Sequence, residues 1–211
     1  MATGKAGGAV PFEAAGYAYV PGVFQYSAGV AALPGHRIDR IRFDGPVPLD
    51  EGFGRIGDIL DRRGLPRRSL CACELRSPGQ FSEDGFRAFN ERYVETLDAW
   101  GCLDGGANPV ARSNVCPAFG APAEPSFHAF SFVVPDPDAG PSFVVAGGAE
   151  CPEGRGNYRD HIVRRGDLSP DGLAEKVRSG LGERERRLAA LGFAWRTRRP
   201  RRSTPSTTSI R

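Results

Sequence analysis

A short apolar strand framed by two amphipathic helices constrains this chain more than any other feature. The run LCACEL at 70–75 has the length and composition of a buried strand, and alternation places Cys71, Cys73 and Leu75 on one side of it. Before it, residues 52–63 put Phe53, Ile56, Ile59 and Leu60 at the three- and four-residue steps of one helical face, with Gly64 as the stop. After it, residues 83–100 carry the stripe Phe86, Phe89, Tyr93 and Leu97. Ser82 stands there as N-cap, with Glu83 and Asp84 at the positive helix end. Strands are expected at 22–30 and 38–43 upstream, and at 110–115 and 127–134 downstream. The order β-β-α-β-α-β-β belongs to the α+β class.

The run PDPDAGP at 135–141 reads as a linker. Beyond it, 142–149 is again strand-like, and Ser169 with Pro170 gives an N-cap followed by proline at the first helical position. Leu173, Val177, Leu181, Leu188 and Leu191 then make a long helical stripe ending near Gly192. This repeats the opening of the first unit and goes no further. The expected division is therefore 15–137 as one unit, 138–195 as an incomplete second copy, and 196–211 as an Arg-rich tail with the composition of disorder. The tail also admits a codon choice whose shifted frame encodes an alternating, strand-like segment, so it is expected to be the product of a frame shift, which sequencing the gene decides.

The tail dominates the charge. Subtracting its six arginines from the net +3 leaves the rest of the chain at −3, so a nucleic-acid partner is not expected of the body. No apolar run approaches the roughly 20 residues that span a bilayer, and the first ten residues lack an apolar signal core, so no membrane partner is expected. Five cysteines without a CxxC pair point away from a disulfide framework or a structural zinc site, and a reducing cytoplasm is the expected compartment. Cys71 and Cys73 could hold a soft metal from one strand face, but two small buried side chains are the simpler reading. Glu183 and Glu185 alternating with Arg184, Arg186 and Arg187 read as a solvated helix face.

PVARSNV at 109–115 is the run with the most chemistry. A planar, permanently charged guanidinium at the start of a strand can hold a carboxylate through two parallel hydrogen bonds, which makes Arg112 the candidate anchor. An arginine that simply closes a surface salt bridge is the competing reading. Tyr19 and Tyr26 could line a ligand cleft or pack in the core.

The runs SLCACELRSP, FRAFNERYVETL, PVARSNV and EPSFHAFSFVV together resemble the second half of the RidA/YjgF family of enamine/imine deaminases. YSAGV and GFGRIGDILDRRG resemble its first half, and SFVVAGGAECP with the helix ending LAALGFAW resembles that half again. The resemblance spans about residues 17–195 and is nearest to tandem-domain members linked to aminomuconate and chloroaminomuconate breakdown. It implies a chorismate-mutase-like unit assembled as a homotrimer, and hydrolysis of 2-imino or enamine acids to keto acids and ammonia without metal or cofactor. Arg112 would then bind a small carboxylate substrate, with Tyr19 in the cleft and the backbone of Ser113, Asn114 and Val115 orienting the imine. Many members carry a glutamate on the closing strand. Counting register from Arg112 puts Ser126 there, with His128 on the same face, either a neutral-pH acid/base or a satisfied strand histidine, the simpler reading. Without that glutamate, a catalytically silent carboxylate-binding or assembly module is the alternative, and RNA binding through the tail is a second.

Overall fold

The computed structural model describes residues 8–148, 151–152 and 159–195. Two four-stranded sheets organise them. The first contains β1 (Val10–Phe12), β2 (Tyr17–Val20), β3 (Gly29–Ala32) and β8 (Phe143–Val145), all antiparallel in the order β1-β2-β3-β8. The second is built from β4 (His36–Pro48), β5 (Leu70–Arg76), β6 (Ala111–Val115) and β7 (Ser126–Pro135), in the order β4-β7-β5-β6. Its β5 and β6 are parallel and joined through α2 (Glu83–Ala99), as a crossover connection requires. The other helices are α1 (Leu49–Arg62) and α3 (Pro170–Ala190).

Three apolar clusters stack these elements. Phe53, Ile56 and Leu60 of α1 and Phe89, Tyr93 and Leu97 of α2 pack on one face of the second sheet, against Ile41, Cys73, Phe127 and Phe130. The opposite face of that sheet, through Cys71, Ala72, Ala111 and Val133, meets Tyr17, Tyr19 and Val30 of the first sheet. The far side of the first sheet, at Val20, Ala28 and Ala31, is covered by Leu191 at the end of α3. The layers run α1/α2, second sheet, first sheet, α3. Ser82 and Ser169 cap α2 and α3, each Oγ accepting from a backbone N–H at 3.1 Å. Such caps contribute about 1 kcal/mol each.

The seven expected elements occur in their expected order as β3-β4-α1-β5-α2-β6-β7. Three local expectations are corrected. Residues 22–28 are not strand: the chain folds back so tightly that a Cβ on Gly22 would lie 2.5 Å from Tyr26 O, and Ser27 then bridges to Ala111. Cys71 does not share a face with Cys73. A bulge in β5 between Leu70 and Ala72 inserts Cys71 out of alternation, turning it toward the first sheet while Cys73 faces α2. Arg187 is not on a solvated face: it is 3% exposed, with Nε donating to Glu183 at 2.8 Å.

The strand expected to open a second unit, β8, pairs with β3 in the first sheet. The sheet face whose exposure would call for a ring of three is covered within the chain by β2 and β3. The tail at 196–211 lies outside the described residues.

Candidate active site

Arg112 lies at the second residue of β6, the edge strand of its sheet, beside Cys73 of β5 and on the side that faces α2. Phe89 and Tyr93 stand one turn apart on α2 and therefore on one helical face. Their ring centroids lie 5.7 and 4.8 Å from Arg112 Cζ. The third ring, Tyr26 at 5.0 Å, comes from the folded-back loop between β2 and β3. That loop is fastened where Ser27 N donates to Val110 O at 3.0 Å and Asn108 Nδ2 to Phe24 O at 3.4 Å. The guanidinium, 3% exposed, is thus held in an aromatic cage. Ring faces stabilise a cation through their electron-rich quadrupole.

The groups beneath it are neutral at pH 7. Burial pushes the Cys73 thiol up to about 12, with Tyr93 and Arg112 acting in the opposite sense, and burial likewise raises the Tyr93 phenol. Cys73 is therefore a packing thiol rather than a nucleophile. Two further buried polar residues neighbour the cage residues in the chain. Gln25 precedes Tyr26, and Asn90 follows Phe89. Their side-chain oxygens are buried without a hydrogen-bond partner among the described residues. A buried acceptor left unmet costs about 1–3 kcal/mol, so each such group calls for a partner. Sequence reasoning missed both. Asn90 left a signal, because it interrupts the apolar arc that continues through Tyr93 and Leu97; Gln25 left none.

The structure brings together only part of the expected set. Ser113 pairs with Glu74 one residue beyond Arg112, and Asn114 Oδ1 accepts from Ser77 Oγ at 2.9 Å. Val115 is exposed at the strand end, its carbonyl accepting from Ser77 N at 2.9 Å. Tyr19 is directed elsewhere: its hydroxyl donates to Asp104 at 3.2 Å, and burial followed by that carboxylate raises its phenol.

Register across the sheet places Ser126 and His128 away from the Arg112 row. The row of Arg112 passes through Cys73 to Phe130, whereas Ser126 pairs with Arg76, opposite Val115. That is three rows away, roughly 10 Å along the strands. Ser126 Oγ donates to Glu124 O at 2.7 Å. His128 is the extra residue of a bulge in β7, between Phe127 and Ala129. Its imidazole is lowered by burial and then by Arg76, against the pull of Glu74. Burial raises the Glu74 carboxyl, but Nε and Nη2 of Arg40 at 2.5 and 2.9 Å, together with His128 and Arg76, keep it below the usual range. Among the described residues no three His, Cys, Asp or Glu side chains form a metal-ligand group.

The family described as 2-aminomuconate deaminase CnbZ matches residues 9–201. A 2-amino-5-chloromuconate deaminase from Comamonas testosteroni is 50% identical over 189 residues, covering 89% of this chain and 75% of the relative. No solved structure matches the chain. With the match running across both sheets, α1, α2 and α3, the chain belongs to the 2-aminomuconate deaminase CnbZ family.

Proposed function

We propose that this protein is a hydrolase acting on the C–N bond of 2-aminomuconate-type substrates, and that Arg112 in its aromatic cage is the carboxylate anchor. The observation that carries the reading is a buried guanidinium held by three rings, in a chain half identical to a deaminase of an aminomuconate. Such a substrate is an enamine of a 2-keto acid. Proton transfer to carbon gives the 2-imino acid, water adds to C2, and ammonia departs. One water enters, one ammonia leaves, and no electrons are exchanged. The protein's task is to fix the carboxylate next to C2 and to receive the N–H groups of the amine. Arg112 serves the first need through its fork. The oxygens of Gln25 and Asn90 serve the second as acceptors on the two segments that bring the rings to Arg112. Ser126 and His128 have no role in this scheme, because neither reaches the Arg112 row.

The architecture is proposed to be of the RidA type, with 138–195 as an incomplete second copy. The side-by-side pairing of β3 with β8, each lying in or overlapping a segment that resembles the family's first half, supports this. Homotrimer formation draws support from Leu173, Val177 and Leu181 lying exposed along α3 and from Phe119, 94% exposed in the β6–β7 loop. Light scattering showing a monomer would remove the trimer without touching the site.

The function is tested by supplying 2-aminomuconate and measuring ammonia together with the loss of the enamine chromophore. Equal amounts of ammonia released and enamine consumed, above the spontaneous rate, are expected. Binding without acceleration would favour the silent carboxylate-binding module instead.

A further inference from the structure

Arg187 is far from Arg112 in sequence and on the opposite outer layer, yet one peptide unit connects them. Its Nη1 donates to Ala146 O at 3.3 Å and to Gly147 O at 3.0 Å, while Nε is paired with Glu183 at 2.8 Å. Arg184 adds a bond from Nη2 to Gly148 O at 3.1 Å. These carbonyls belong to the extended segment that follows β8. The N–H groups of the same segment hold the site: Gly147 N donates to Arg112 O at 3.0 Å, and Ala146 N donates to Ala28 O at 3.1 Å. Ala28 lies two residues beyond Tyr26, so the segment ties the strand carrying the guanidinium to the loop carrying one of its rings.

The peptide between Ala146 and Gly147 has Arg187 on its carbonyl and Arg112 O on its N–H. A cation on a peptide oxygen polarises the N–H of that peptide and strengthens its donation. The fit is also tight: a Cβ on Gly147 would lie 3.2 Å from Ser113 Cβ and 3.3 Å from Ser113 Cα.

We propose that Arg187 is a positioning residue for the Arg112 site, acting from α3 through the Ala146–Gly147 peptide to set the spacing between Arg112 and the Tyr26 loop. The segment that resembles a second unit thereby completes the site of the first. This rests on the reading of Arg112 as the carboxylate anchor. It adds a requirement that a free-standing first unit would not have.

The test measures the affinity of the intact protein for cis,cis-muconate, a stable dicarboxylate without the amino group, and thermal stability alongside. Arg187→Ala is expected to weaken binding roughly tenfold, within the range for residues sharing one network. Gly147→Ala is expected to do the same with α3 still docked. This second variant carries the test if Arg187→Ala does not fold. Leu188→Ala is the control: it loosens the same helix from its apolar side and leaves the clamp intact. Unchanged affinity in Gly147→Ala, or an equal loss in Leu188→Ala, would overturn the proposal. Arg112→Ala is measured in parallel. Wild-type affinity there sinks the anchor itself, whereas loss there with unchanged affinity in Arg187→Ala and Gly147→Ala sinks only the clamp.

Discussion

Arg112 and Arg187 are equally buried, each 3% exposed, and they are held in opposite ways. Three ring faces surround the first, and a carboxylate with two backbone carbonyls meets the second. Carbonyl and carboxylate partners consume N–H donors, so Arg187 spends its fork on the protein. Ring faces compensate the charge of Arg112. Two equally buried cations are thus stabilised by different partners, aromatic faces in one case and oxygen acceptors in the other.

The largest expected effect separates the two by activity. Arg112→Ala should lower kcat/KM at least about a hundredfold, the usual scale for removing one partner of a desolvated charge pair, and shift Tm by only a few degrees. Arg112→Lys should restore little, because an ammonium lacks the planar fork. A fully active Arg112→Ala variant would break the comparison at its first member.

Stability should separate the layers next. Leu188 is fully buried under α3, but Leu173, Val177 and Leu181 on the same helix are exposed, so α3 is anchored mainly at its C-terminal end. Leu188→Ala should cost about 2–3 kcal/mol, the lower part of the range for a buried leucine. Hydrogen exchange should then show residues 170–190 losing protection before 49–62 and 83–99 do. Simultaneous loss in all three helices would show that α3 is as firmly integrated as the other two.

Thiol reactivity sharpens the layer assignment at smaller cost. Cys116 is exposed and Cys151 half-buried, whereas Cys71, Cys73 and Cys102 are buried, and burial pushes Cys73 and Cys102 up to about 12. Labelling of the native protein at pH 8 should modify Cys116 and Cys151, and the other three only on unfolding. Rapid native labelling of Cys73 would mean that the floor of the cage is open to solvent.

These outcomes bear on how much of the molecule its sequence discloses. Helix α2, its Ser82 cap and the strand bearing Arg112 are legible because each is specified by neighbouring residues: an apolar stripe, a hydroxyl before it, a short run ending in RSNV. The bulges at Cys71 and His128 are not legible, because an inserted residue is defined only by the strand opposite. One slip moves a side chain to the other face. Counting along the chain likewise does not disclose the row of Ser126, which the strand opposite sets at Arg76. Arg187 was obscured for another reason: alternating charges look solvated until a distant segment, here Ala146–Gly148, supplies carbonyls for them.

The smallest effect concerns His128. Its imidazole titrates lower in the fold than in the unfolded chain, where the ordinary value is about 6.5. As pH falls below that value the unfolded chain takes up the proton first, so folding stability is lost on the acid side until the folded imidazole also protonates. His128→Asn should therefore flatten the decline in Tm between about pH 7 and 5, with ammonia release close to wild type. A large loss of activity would return His128 to the reaction and contradict its separation from the Arg112 row.

The most direct measurement of the central claim is a crystal structure of the protein with cis,cis-muconate. The account predicts a carboxylate on the two outer nitrogens of Arg112 at hydrogen-bonding distance, between the rings of Tyr26 and Tyr93, with the chain of the ligand running toward Gln25 or Asn90. Muconate bound elsewhere, with the cage around Arg112 closed and unchanged, would contradict it.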